Sequence, residues 1–198
     1  MSSVGADVVA RLDAVIEGAL RDGDLVHEHP VPGRWMIELP GTRKLKTACG
    51  LIVGAHALRI EAFVCRQPDE NREQLWTYLL QHNARMYGVA FSVDKVGDVY
   101  LVGRVPRHAV TEDELDRLLG AVLTYADESF DTMLEIGFGT AIRREWQWRV
   151  SRGESLANLR AFADFVAESP EARQGDASAG SGIAGAETSD LESGDQRP

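Results

Sequence analysis

Cysteine is scarce. Cys49 and Cys65 are the only two in 198 residues, too few for a disulfide framework and in keeping with reduced thiols in a cytoplasmic chain. Basic residues are also in deficit. Twenty-one Lys and Arg face 31 Asp and Glu, for a formal charge of −10, whereas a general nucleic-acid binder needs the reverse balance to displace phosphate counterions. No apolar run approaches the roughly 20 residues of a membrane span. Asp7, Arg11 and Asp13 interrupt the first apolar stretch, so neither a span nor a secretory leader is expected. No G-x-S-x-G elbow gives a serine a nucleophile context, and Gly137 and Gly139 are followed by no Lys-Ser/Thr that would make a phosphate loop. With no motif selecting an acid pair either, no catalytic residue, cofactor or metal is expected.

What is present suits one domain with an appendage. Hydrophobic residues make up 44% of the chain, enough to build a core. Val8, Leu12, Val15, Ile16, Ala19 and Leu20 fall at helical spacing and predict a first helix, closed by Gly23. Residues 25–39 read as extended, broken at Pro30-Val31-Pro32-Gly33. Alternation of Thr47, Cys49, Leu51 and Val53, then of Leu58, Ile60, Ala62 and Val64, predicts a hairpin turning at residues 54–57. Pro68-Asp69 is expected to open a helix carrying Leu75, Trp76, Leu79, Leu80, Met86 and Tyr87 on its buried stripe. Gly88 should stop it, and a second hairpin follows through Val89, Phe91 and Val93, then Val99, Leu101 and Val105.

Thr111 with Glu114 is a capping-box pattern. Beyond it Leu115, Leu118, Leu119, Val122, Ala126, Phe130, Met133 and Leu134 keep helical period, so one long helix is expected, broken at Gly137-Phe138-Gly139. Two shorter helical stretches should follow, over residues 141–150 and 154–167. Residues 170–198 carry six acidic and two basic residues, with Ile183 and Leu191 the large apolar groups. Such a composition cannot offset its ordering entropy and predicts disorder. The expected organisation is an α+β domain over 1–137, a helical C-terminal extension over 138–169 and an acidic Gly/Ala/Ser tail over 170–198, the sheet being antiparallel and backed by helices.

Leu79, Leu80, Asn83, Gly88, Phe91, Gly97 and Pro106 stand where the YbjN family has a helix ending in Leu-Leu and Asn, a glycine, a strand, a turn and a strand leading into proline. The chain resembles that family of bacterial sensory transduction regulators over residues 79–106. The resemblance implies a type III secretion chaperone-like fold, commonly homodimeric, with a regulatory or chaperone-like role and no defined reaction.

Candidate sites are few. His27 and His29, two apart on a strand, could offer two imidazoles to a metal, but no third ligand is placed and surface histidines are the simpler reading. Cys49 and Cys65 read as buried inert thiols. Asn83, among apolar neighbours, needs a partner for its amide and is expected to tie the helix end to the Gly88 turn or a strand edge. Arg143, Trp146, Trp148 and Arg149 combine the residue types favoured at interface hot spots and are the candidate partner-binding residues. The bland alternative is a Trp on the core with arginines paired to acids such as Glu145. The leading expectation is a cytoplasmic, non-enzymatic, chaperone- or adaptor-like binding protein, a homodimer whose other partner is an unidentified protein. The rivals are a DNA-linked regulator using Arg143 to Arg152, and a metal- or small-molecule-dependent enzyme.

Overall fold

Strand alternation decides the architecture. In the computed structural model, which describes residues 3–23 and 25–167, the alternating stretches form a six-stranded antiparallel sheet of order β1-β2-β3-β4-β6-β5. The strands are β1 (His27–Val31), β2 (Arg34–Pro40), β3 (Lys46–Val53), β4 (Ala57–Cys65), β5 (Val89–Val93) and β6 (Val99–Pro106). The helices are α1 (Ser3–Asp22), α2 (Arg72–Asn83), α3 (Glu112–Glu128), α4 (Phe130–Arg152) and α5 (Ala163–Ala167). The fold class is the expected one, α+β with helices against an antiparallel sheet. The chain divides into two units, Met1–Phe162 and Ala163–Pro198, and α5 is the described part of the second. The expected tail, 170–198, lies outside the described residues.

Period 2 puts one set of side chains on each face. Ile37, Leu39, Leu51, Ile60 and Leu101 are fully buried and share a core with Leu12, Ile16 and Leu20 of α1 and Leu115, Leu118 and Val122 of α3. On the opposite face no described helix covers Met36, Arg59 or Arg104, all exposed. Near its end β4 shifts register between Phe63 and Cys65, so that Val64 and Cys65 are both buried. A bulge of this kind bends the strand, and here it ends the alternation just past the outward-facing Phe63.

Three helical expectations need correction. The helix expected from Pro68-Asp69 starts at Arg72, with Asn71 in the left-handed region at φ 48°. It ends at Asn83, so Met86 and Tyr87 lie beyond it, and Leu80 is exposed rather than on the buried stripe. The long helix after Thr111 divides at Ser129 into α3 and α4. There is no break at Gly137: α4 runs through to Arg152, where Gly153 closes it at φ 67°. Gly137 has another purpose. Loop 68–71 docks there, Asp69 N and Glu70 N donating to Gly137 O at 3.0 and 3.1 Å, and a Cβ on residue 137 would come within 2.8 Å of Pro68.

The capping expectation at Thr111 holds in half: Glu114 N donates to Thr111 Oγ1 at 3.2 Å, while the Glu114 carboxylate turns to the Tyr87 hydroxyl at 2.9 Å. Gly88, which precedes β5, has φ 69°, and a Cβ there would collide with Leu118 Cδ2. Gly88→Ala therefore meets both a left-handed backbone and an occupied core. It is expected to cost about 2–4 kcal/mol, read as a lowered denaturation midpoint with an unchanged denaturant slope.

Candidate functional site

Past Ser129, where α3 gives way to α4 with the backbone still right-handed helical, part of the apolar stripe leaves the core. Residues 134, 138, 142 and 145 recur at three- and four-residue spacing and face one way. That face meets the bulged end of β4 across an open groove of about 550 Å³. Phe138, Ile142 and Phe162 are its mostly buried floor. Phe63 from β4, half-buried Phe130 and Leu134 from α4, and Leu159 from the 3-10 turn at Ala157–Phe162 form its walls. Phe63 keeps 38% of its surface exposed, a large aromatic left unburied.

Cations stand over these rings. Lys44 Nζ lies 5.7 Å from the Phe63 ring centre and 5.5 Å from that of Phe130, and Arg66 lies 5.4 Å from that of Phe138, all within cation–π range. Burial holds the Lys44 ammonium below its ordinary pKa, with nearby Cys65 pulling weakly the other way. The loop that presents Lys44 is pinned by Asp127 of α3. Oδ1 accepts from the amides of Thr42, Arg43 and Lys44 at 2.8, 2.8 and 2.9 Å, and Oδ2 accepts from the Thr42 hydroxyl at 2.7 Å. On the other side of α4, the Glu70 carboxylate takes the amide and hydroxyl of Thr140, each at 2.6 Å. Those two bonds hold it below the usual carboxylate range, with Arg143 assisting.

The candidate residues divide accordingly. Trp148 and Arg149 continue the line of the groove past Glu145. Trp148 is 43% exposed, with Arg152 stacked on it at 4.9 Å. Arg149 is committed within the chain, to Glu145 at 2.7 Å and to Ser155 O at 3.0 Å. Trp146, four residues past Ile142, sits half-buried at the flank, and Arg143 faces away toward Glu70. Sequence reasoning did not single out Phe63, and saw Lys44 only as part of the basic run from Arg43 to Lys46. The available signal was Phe63 itself, an aromatic in the outward register with Arg59 and Glu61.

The remaining candidates are structural. The His29 ring stacks on Trp35 at 3.9 Å, and its Nε2 is 3.5 Å from Asp13. His27 Nδ1 is 2.8 Å from Leu25 O. Among the described residues no three His, Cys, Asp or Glu side chains gather as a metal site requires. Cys49 sits opposite Ala62 rather than Cys65. Both thiols are free and buried, and burial pushes them up to about 12 and about 11, so they are inert as nucleophiles at neutral pH. Asn83 ties the helix end to a strand edge, as expected: its Oδ1 accepts from Phe91 N at 2.7 Å and its Nδ2 donates to Phe91 O at 3.1 Å. A second depression, of about 530 Å³ on the helix-free face of the sheet, is lined by Arg59, Ala90, Ser92, Val102 and Arg104, and these side chains include no aromatic. No described helix is long and apolar enough to cross a membrane.

The chain has similar proteins among known sequences and solved structures. The chain is 52% identical over 167 residues to "Uncharacterized protein Rv0487" of Mycobacterium tuberculosis, covering 82% of this chain and 91% of that protein. It is 47% identical over 169 residues to "Uncharacterized protein ML2442" of Mycobacterium leprae, covering 83% and 92%. Among solved structures it is similar to the ExsC–ExsE complex, with a TM-score of 0.46 and 21% identity over 65% of this chain and 95% of that one. It is also similar to the Yersinia pestis type III secretion chaperone SycH in complex with a fragment of YscM2, with a TM-score of 0.44 and 15% identity over 58% and 96%. The family model described as "Putative bacterial sensory transduction regulator" matches residues 12–135, which takes in the Asn83–Phe91 clamp, the Gly88 turn and the Asp127 pin, and the chain belongs to this family, YbjN.

Proposed function

We propose that this protein is a non-enzymatic, cytoplasmic regulatory protein that acts by binding another polypeptide, in the manner of a chaperone or adaptor. One observation carries the reading: the open groove between β4 and α4, whose exposed aromatic wall is Phe63 and whose floor is Phe138, Ile142 and Phe162. Contiguous apolar surface of this kind, left open in the chain, marks an interaction site, and helix-in-groove docking is a recurrent use of it. Trp148 extends the contact line and Arg149 holds the last turn of α4 in place beneath it, while Arg143 and Trp146 belong to its margin. The C-terminal extension over 138–169 is then an addition to the family domain, and its Phe138, Ile142, Leu159 and Phe162 line the groove. A DNA-contacting role for Arg143 to Arg152 loses appeal, since Arg149 is neutralised by Glu145 and Arg143 faces Glu70.

The test is affinity purification from native cytosol with the full chain, Trp148→Ala and Leu134→Asp as parallel baits. A polypeptide held in stoichiometric amount by the full chain, reduced with the first variant and absent with the second, is the expected result. Equal recovery by all three baits would remove the groove from the interaction. The chain is also proposed to self-associate, the helix-free sheet face with Met36, Ile52 and Val102 being the surface available for a second copy. Sedimentation at micromolar concentration should give twice the chain mass, and a strict monomer would contradict that part.

A further inference from the structure

The groove carries a charge opposite to that of the chain. The protein as a whole is acidic at −10, yet Lys44 and Arg66 stand at the groove, and its one lining acid, Glu145, is already bonded to Arg149. Arg66 pairs with the exposed Asp69, at 3.7 Å. Lys44 is in a different position. It donates to Lys46 O at 3.0 Å, lies over two ring faces, and enters none of the ion pairs among the described residues.

An ammonium has three donors. Here it is half-buried, so part of its hydration is lost, and it lacks the carboxylate that would offset that loss. The backbone that carries it is fixed, since the three consecutive amides of residues 42–44 donate to Asp127, and its ammonium stands over the rings of Phe63 and Phe130. A partly desolvated cation beside apolar side chains selects a ligand that brings carboxylate and hydrocarbon together.

Resting on the reading of the groove as a polypeptide-binding surface, we propose that its occupant is an acidic amphipathic helical segment. Its apolar stripe lies on Phe138 and Ile142, and an Asp or Glu beside that stripe reaches Lys44. The dimensions suit such a segment. The α4 face from Leu134 to Glu145 spans about 16 Å at the helical rise of 1.5 Å per residue, so it accommodates three turns of a partner helix. The groove is open along that length rather than enclosed, which favours a helix face over a single buried acyl chain. The basic approach also steers an acidic segment toward a protein whose overall charge would repel it.

The experiment uses two synthetic 16-residue peptides with the same leucine stripe, one with Glu and one with Lys at every flanking position. Fluorescence anisotropy follows their binding to the full chain, Lys44→Met and Leu134→Asp, with circular dichroism confirming that both variants fold. Binding of the Glu peptide at least about tenfold tighter than the Lys peptide is expected, a ratio that Lys44→Met reduces about fivefold. Leu134→Asp should abolish binding of both. Equal affinities for the two peptides, or no change with Lys44→Met, would overturn the acidic partner, while a polypeptide still captured through Leu134 in the cytosolic purification would leave the adaptor reading intact. Oleate binding to the groove with no affinity for either peptide, joined to a failed purification, would overturn both.

Discussion

Asn83→Ala is expected to cost about 2–3 kcal/mol and to lower the melting temperature by roughly 4–12 °C for a chain of this size. The reason is geometric. Within the sheet β5 is an edge strand, and Phe91 points its N–H and C=O away from β6 toward α2. The Asn83 carboxamide supplies one acceptor and one donor to that residue, taking the place of a neighbouring strand. Without it the two backbone groups are left half-covered by α2, and the edge is open to pairing with another chain. The loss should therefore come with concentration-dependent association beyond that of the wild-type protein. Asn83→Asp separates the two bonds: a carboxylate can still accept from Phe91 N but faces the Phe91 carbonyl with another acceptor. It should be nearly as harmful as alanine at neutral pH and should recover as the carboxyl protonates. Stability of Asn83→Ala within about 0.5 kcal/mol of the wild type would show that water replaces the clamp.

Asp127→Ala is expected to cost about 2 kcal/mol, the lower part of the range for hydrogen bonds to a charged group, because the site is partly exposed. Burial alone would raise this carboxyl, but the Thr42 hydroxyl and the amides of residues 42–44 outweigh it and hold it below the ordinary aspartate range. The sign follows from that direction. An acid whose folded pKa lies below its unfolded value stabilises the fold fully above the unfolded value, about 3.9, and loses the contribution as pH falls through the folded value. The gap between wild type and variant should be full at pH 7 and should shrink below about pH 4. Neighbouring Asp131 is raised, chiefly by burial and further by the Asp127 charge, with Arg43 opposing, so its relief in the variant offsets part of the cost at neutral pH. Denaturant titrations across that range measure the difference. A gap unchanged down to pH 3 would mean that the carboxylate charge is not what holds the loop. Since the same loop presents Lys44, the variant should also weaken binding at the groove.

Strands β2 to β6 were legible because they alternate over a half-buried sheet, as in β4 with Leu58, Ile60 and Ala62 inward and Arg59, Glu61 and Phe63 outward, while β1 is exposed along its length. The residues behind the family resemblance proved to be one mechanical unit, since Asn83 brackets Phe91 and Gly88 makes room for Leu118. The helices after Thr111 were legible in period but not in extent. Ser129, a buried polar residue inside an unbroken apolar period, gives no warning of the break between α3 and α4. Gly137 and Gly139 look like a stop, yet Gly137 is small because Pro68 lies against it. That is a contact between residues far apart in sequence, which local propensity does not see. The groove was hidden for the same reason. Phe130 and Leu134 read as part of one buried stripe and Phe138 as part of a break, so nothing local shows that all three face the end of β4. Of the Trp and Arg cluster, composition drew attention to α4, and the structure sets Trp148 three residues past Glu145 and Arg143 toward Glu70.

A photo-crosslinking residue placed at Leu134, with a second placed at Arg104 on the helix-free sheet face as control, addresses the groove most directly. In native cytosol position 134 is expected to capture one polypeptide, and the crosslinked partner peptide should carry Asp or Glu beside an apolar stripe, while position 104 captures none of it. Capture of that partner from position 104 with position 134 silent would place the binding surface elsewhere and contradict a role for the groove between β4 and α4.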